Sequence, residues 1–374
     1  MKINDLITLF FLGISIFFTS CEDPDPDDND NQNNTKVRYI TDDIDATEIW
    51  YSDTVYVVDV YNLSVEAALT IQAGTVVKFK SENGMNVLNG GSLQAIGTAE
   101  APIIFTAFND DQFGGDVNND AAATVPAKGY WGGIQFESVA SSSLSYCKVF
   151  YAGADNPNGG GPHCAIMIEH GATNLSFNHC TFAHTSGNGS SDEHCAVKIL
   201  SPQLSDFVFE NNTIYDNGGT VVLSEAVLAG RISNTNIFHD PANAVIKNVR
   251  QGIFIYDFSF SQSIALNVTE VPYVFDIVQG IDDGITITLA DHVIIKFLSG
   301  AEFSYRSQGG GGFINHDGEG VLFTSIKDDT GGDSNGDGNL SSPANGDWVG
   351  IKDRFNGVDY YVFQTWSNIL YDQY

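Results

Sequence analysis

The run Asp333-Ser334-Asn335-Gly336-Asp337-Gly338 sets side-chain oxygens at alternate positions and a glycine where a chain must turn sharply. This is how a calcium loop opens, with hard oxygen ligands converging on one divalent cation. Asp328 and Asp329 stand just upstream. The bidentate Glu that closes an EF-hand is missing, because position 344 is Ala, and neither flank has helical periodicity. A calcium loop of another kind is therefore expected. Asp and Asn side chains bonding their own backbone in a polar turn would give the same spacing without a metal.

The loop is written twice. LTIQAGTVVKF, PIIFTAFNDDQFGGDVNND and YWGGIQF, within residues 69–137, return as ITLADHVIIKF, VLFTSIKDDTGGDSNGDG and DWVGI within residues 286–353. The first copy keeps the upstream pair as Asp110 and Asp111 and the alternating oxygens as Asp116, Asn118 and Asp120. Ala121 replaces the final Gly, so the second copy is the stronger expectation for Ca²⁺. Both copies also carry a tryptophan, Trp131 and Trp348, expected to pack at a coil corner, whereas Trp366 and Tyr360-Tyr361 could stack on sugar rings.

Three His-Cys dipeptides, His163-Cys164, His179-Cys180 and His194-Cys195, bring together ligands suited to zinc. Successive residues on a strand face opposite ways, so the pairs should not converge on one ion. Alignment of the repeats stacks Cys147 near Cys180 and Cys164 near Cys195, as buried thiols, with disulfides the alternative in an exported chain. Two Gly-rich insertions, 154–162 and 185–193, fall at one corner of consecutive repeats. Asp155, His163, His184, Asp192, Glu193 and His194 lie in or beside them and make a candidate binding face; tolerated surface insertions are the plain alternative.

Positioning these residues falls to short β-rich runs separated by Gly, Asn, Asp and Ser from about Val37 onward. One series reads SYCKVFYAG, NHCTFAHTSG, ENNTIYDNGG and SNTNIFHDPA, which makes Cys147, Cys180, Asn212 and Thr235 equivalent. A second reads GIQFE, AIMIE, AVKIL, TVVLS and AVIKN. Two strands recurring in fixed order describe a parallel β-helix over residues 37–374, each coil stacking on the last. The repeats leave open whether the second long copy continues that stack.

The net charge of −31 argues against nucleic acid as a partner and favours divalent cations or plain solubility. At the N-terminus, Lys2 precedes an apolar run too short to span a bilayer, and Phe18-Thr19-Ser20-Cys21 follows. This resembles a bacterial lipoprotein signal over residues 1–20, which implies lipidation of Cys21. The acidic stretch after it, within residues 21–36, reads as a solvated tether and resembles the export signal of Bacteroidota surface lipoproteins. With LTIQAGTVVKF, GGSLQAIGTAEAPIIFTA, YWGGIQF and LSYCKVFYAG, the chain resembles right-handed parallel β-helix lipoproteins of the Bacteroidota. The resemblance implies a right-handed solenoid and an outer-membrane, lipid-anchored, cell-surface address.

No catalytic residues are assigned. Nucleophile elbow, phosphate-binding Gly loop and HExxH motif are all missing, and Arg231 and Arg250 stand outside any family-like motif. The expected role is a non-enzymatic adhesion or glycan-binding module, partnered by polysaccharide and stabilised by Ca²⁺. Alternatives are a polysaccharide lyase or glycoside hydrolase using carboxylates near the insertions, and a purely structural surface component.

Overall fold

A computed structural model describes residues 36–139, 141–154, 163–187, 194–201, 204–276 and 278–373. The expected signal peptide, Cys21 and nearly all of the tether lie outside them, as do Asp155, Asp192 and Glu193.

Short strands form wherever apolar residues alternate with polar ones, as in Leu63–Val65 and Ser92–Ile96, whose inward residues are buried while their neighbours are half-exposed. Corners follow where a residue turns left-handed, such as Asn62 (φ 53°) and Asn89 (φ 54°), because an Asn side chain tolerates that region better than most. Strands of successive coils pair in parallel. A seven-stranded sheet runs from Lys36–Ile40 to Thr213–Tyr215, and a six-stranded sheet from Glu48–Trp50 to Asp206–Glu210. A ten-stranded sheet runs from Leu63–Val65 to Leu322–Ser325, and in the second half five-stranded and three-stranded sheets complete the wall. The fold is a parallel β-helix around one apolar core extending from Ile40 to Val362.

The unbroken ten-stranded sheet makes the second copy a continuation of the stack, displaced by one face. Val76–Phe79 of the first copy belongs to the seven-stranded sheet, but its counterpart Ile294–Phe297 belongs to the ten-stranded one. Likewise Ile134–Phe136 lies in the ten-stranded sheet and its counterpart in Gly350–Phe355 in the five-stranded one.

Two repeat assignments are corrected. Thr213 bridges Ile237, so the residue stacked on Asn212 is Asn236, not Thr235; the Asn212 amide donates to Asn236 Oδ1 (2.9 Å). AVIKN is not a wall strand either. Asn243–Lys247 is exposed throughout and pairs antiparallel with His239–Asp240, while Arg250–Ile255 takes the core position. Both segments have strand-like composition, but Ile253 and Ile255 fill the interior that Val245 and Ile246 leave.

Candidate functional site

Each acidic loop leaves the end of a strand, the first after Ile103–Ala107 and the second after Leu322–Ser325, and folds back over earlier coils. Within the first loop, Asp116 accepts the amides of Asp120 (3.1 Å) and Ala121 (2.9 Å), and Asp120 accepts those of Ala123 (3.0 Å) and Thr124 (3.1 Å). In the second, Asp333 accepts the amides of Gly336 and Gly338 (both 2.7 Å), and Asp337 those of Leu340 (2.9 Å) and Ser341 (2.8 Å). Asn118 and Asn335 donate to Asp120 (2.8 Å) and Asp337 (3.0 Å) respectively. Asp110 and Asp328 each accept a threonine hydroxyl, from Thr106 (2.5 Å) and Thr324 (2.7 Å). The backbone repeats as well: Ala121 is left-handed (φ 54°), as is Gly338 (φ 67°).

One carboxylate oxygen from each of Asp111, Asp116 and Asp120 lies within 4.8 Å of the others. Asp111 Oδ1 and Asn118 Oδ1 are buried with no hydrogen-bond partner, and desolvation followed by repulsion from Asp116 raises the Asp111 pKa. A cation among them would satisfy those oxygens and relieve that repulsion. Among the described residues no such cluster forms in the second loop, although Asp329 Oδ1 is likewise buried and unpartnered. The sequence favoured the second copy for Ca²⁺, whereas the carboxylates are gathered more closely in the first. The loops differ by one residue between the upstream pair and the oxygen motif, and the longer first loop is the one that gathers its carboxylates.

Sequence reading missed the lysine beneath each loop, although the conserved spacing of GTVVKF and HVIIKF held the signal. Lys78 is fully buried, and its Nζ donates to Asp110 O (2.9 Å) and Gly115 O (2.6 Å). Lys296 is its equivalent and donates to Gly332 O (2.5 Å). Burial pushes the Lys296 ammonium down to about 8, against the attraction of Asp328, Asp329 and Asp333. Each loop thus holds one internal cation against several carboxylates.

The loops also tie coils together. Val117 packs against Val55 and Val57, two coils back. In the second copy the Gln251 amide donates to Asp333 O (2.7 Å), and Ser334 Oγ donates to Gln251 O (2.6 Å). Because the copies are displaced by one face, the first clasp lies over the seven-stranded sheet and the second over the ten-stranded one.

The described residues of the candidate binding face, His163, His184 and His194, pack against neighbouring side chains. His184 Nδ1 is 2.7 Å from Asp216 Oδ2, its ring stacks on Tyr151, and Lys128 bridges the same carboxylate (2.7 Å). The rings of His163 and His194 meet edge to face at 5.5 Å, and His194 is buried. The recurrent His-Cys spelling is partly a corner rule. Tyr146, His179 and Asn211 are left-handed corner residues, and Cys147, Cys180 and Asn212 follow them into the interior. Asparagine does the corresponding structural work next door: the Thr185 amide donates to Asn217 Oδ1 (3.0 Å), and the Asn217 amide to Asn248 Oδ1 (3.2 Å). Burial raises the Cys147 thiol well above its ordinary pKa, which disfavours the thiolate that a metal requires. Trp131 and Trp348 are fully buried and stack on Phe79 (3.9 Å) and Phe297 (4.0 Å), which leaves neither face for a sugar.

An open cavity of about 430 Å³ lies instead on the five-stranded sheet. Ser259, Gly280 and Ser304 stand side by side in register and form its floor. Phe258, 86% exposed, borders it with Tyr305, Arg306 and Arg354. Arg306 pairs with Asp283 (2.8 Å) and Arg354 with Asp359 (3.0 Å). Sequence patterning gave no warning of this site, because its residues come from four successive coils.

No family model matches this chain, and neither a curated protein nor a solved structure matches it.

Proposed function

We propose that the mature protein is a lipid-anchored, surface-displayed β-helix that binds glycan without degrading it and uses Ca²⁺ to stiffen its acidic clasps. The cavity on the five-stranded sheet carries this reading. An exposed aromatic ring offers a face for the C–H side of a sugar, and hydroxyls plus arginine–aspartate pairs supply both donors and acceptors for sugar hydroxyls. Of the carboxylates at the cavity, Asp283 and Asp359 are held in ion pairs with Arg306 and Arg354, which leaves Asp282 where glycoside hydrolysis ordinarily uses two flanking the scissile bond. That favours binding over turnover. Anchoring through Cys21 rests on the signal-like N-terminus, and the calcium component on the oxygen cluster of Asp111, Asp116 and Asp120.

The test is affinity electrophoresis of the full chain in gels containing polygalacturonate, alginate, dextran or yeast mannan, with products monitored in parallel. Retardation on at least one polymer is expected, without new reducing ends or ultraviolet-absorbing unsaturated products. Phe258→Ala and Arg354→Ala should abolish it at unchanged Tm, since both side chains are exposed. Failure to bind any of the four polymers, or binding indifferent to both substitutions, counts against the proposal; released products would favour the lyase or hydrolase. For calcium, chelation should lower Tm, and the double variant Asp116→Ala, Asp120→Ala should shrink that response. A chelator without effect removes Ca²⁺ from the account.

A further inference from the structure

We infer that Cys164 and Cys195 are a modification site, closed to a disulfide in the exported protein. They are direct register partners, each the first residue of its strand, in Cys164–Ile168 and Cys195–Ile199. Adjacent strands put Cα atoms about 4.8 Å apart, within the roughly 4.4–6.8 Å that disulfides span. The two Sγ atoms face each other at 2.7 Å, closer than two non-bonded sulfurs rest. Parallel pairing therefore does not keep these sulfurs apart.

The second cysteine pair is an internal comparison. Cys147 and Cys180 also occupy equivalent positions on adjacent coils, yet Cys147 Sγ donates to Ala95 O (3.2 Å) and Cys180 Sγ to Leu144 O (3.4 Å). Those two thiols also bond each other, and both lie in the main core. Cys164 and Cys195 sit apart from the main core, in a small outer cluster with Leu223, Phe254 and Val274. Both are fully buried, so the bridge forms during folding, before the cluster closes.

The chemistry balances with an external disulfide of the thiol–disulfide oxidoreductase class. Its S–S bond is reduced to two thiols while the two cysteine thiols lose two electrons and two protons and form one S–S bond. Each cysteine stands one histidine beyond the end of a Gly-rich insertion, after His163 and His194. The bridge therefore joins the two chain positions from which the wall resumes.

The test is peptide mapping of the full chain, purified without reductant from a host that exports it and alkylated in denaturant. Cleavage after Lys, Arg and Glu puts Cys147, Cys164, Cys180 and Cys195 on the separate peptides 138–148, 149–169, 170–193 and 194–198. Peptides 149–169 and 194–198 are expected as one species, two hydrogens lighter than their sum, with Cys147 and Cys180 alkylated. The double variant Cys147→Ser, Cys180→Ser should keep the bridge. Alkylation of Cys164 and Cys195 without prior reduction overturns the inference, as does a bridge between any other two of these cysteines.

Discussion

Replacing Lys78 by Met keeps the unbranched apolar stem and removes the buried ammonium from beneath the first acidic loop. Two hydrogen bonds to backbone carbonyls are lost, at 2.9 and 2.6 Å, together with the attraction to Asp110, Asp111 and Asp116. Hydrogen bonds to a charged group contribute about 1.5–3 kcal/mol each, so the gross loss is about 3–6 kcal/mol. Relief from burying an ammonium offsets part of it, and breaking a buried ionic network commonly costs about 3–5 kcal/mol net. The loop carboxylates are partly exposed, which discounts the figure further, to about 2–3 kcal/mol. The effect is local, so the assay is hydrogen exchange of the loop amides of Asp120, Ala121 and Thr124, all bonded to Asp116 or Asp120. Protection should fall by about 30- to 150-fold, and Ca²⁺ should restore more of it in Lys78→Met than in the parent chain, since one cation then substitutes for another. A fall smaller than about twofold would refute the reasoning, for the loop would then be held by its Asp–amide bonds alone.

Two other outcomes are expected. Desolvation, with repulsion from Asp257, raises Glu225 from 4.5 to about 7, while His170 pulls it down. The folded state therefore holds the extra proton between those values, and stability contributed by this group is full below about pH 4.5 and lost as pH rises through about 7. Urea unfolding followed against pH should show that slope in the parent chain and a shallower one in Glu225→Gln. At Ala121, a left-handed alanine costs about 1–2 kcal/mol, whereas glycine costs about 0.4–1 kcal/mol through the unfolded chain. Ala121→Gly should thus raise local stability by about 0.5–1 kcal/mol, read as slower exchange of the same loop amides; faster exchange would show that the backbone is not strained there.

Individual strands were legible because alternation is local. LTI and VVKF in the first copy and TITL and IIKF in the second announce their inward faces, since only an apolar side chain sits inside a narrow solenoid without an unpaired polar group. The acidic loops were legible for a similar reason: Asp and Asn bond backbone amides two to five residues on, so spacing alone encodes the turn. AVIKN shows the limit of that logic. Its pattern is as good as that of Arg250–Ile255, and competition for one interior position decides between them. The buried lysines were hidden for another reason, because nothing local distinguishes a lysine pointing at solvent from one capped by a loop that begins about thirty residues later.

The sequence by itself determined that this chain is a duplicated, all-β stack of coils with two homologous acidic loops, because side-chain periodicity and turn chemistry act over a few residues. Tertiary structure alone decided where those pieces point. The segment between the copies contains the short helix Ala226–Ala229 and an outward hairpin, and it returns the chain to the wall one face further on. The two homologous clasps consequently cover different faces, and Ser259, Ser304, Tyr305 and Arg354 meet around one cavity. Stacking register, a contact between residues far apart in the chain, sets both, and no local pattern encodes it.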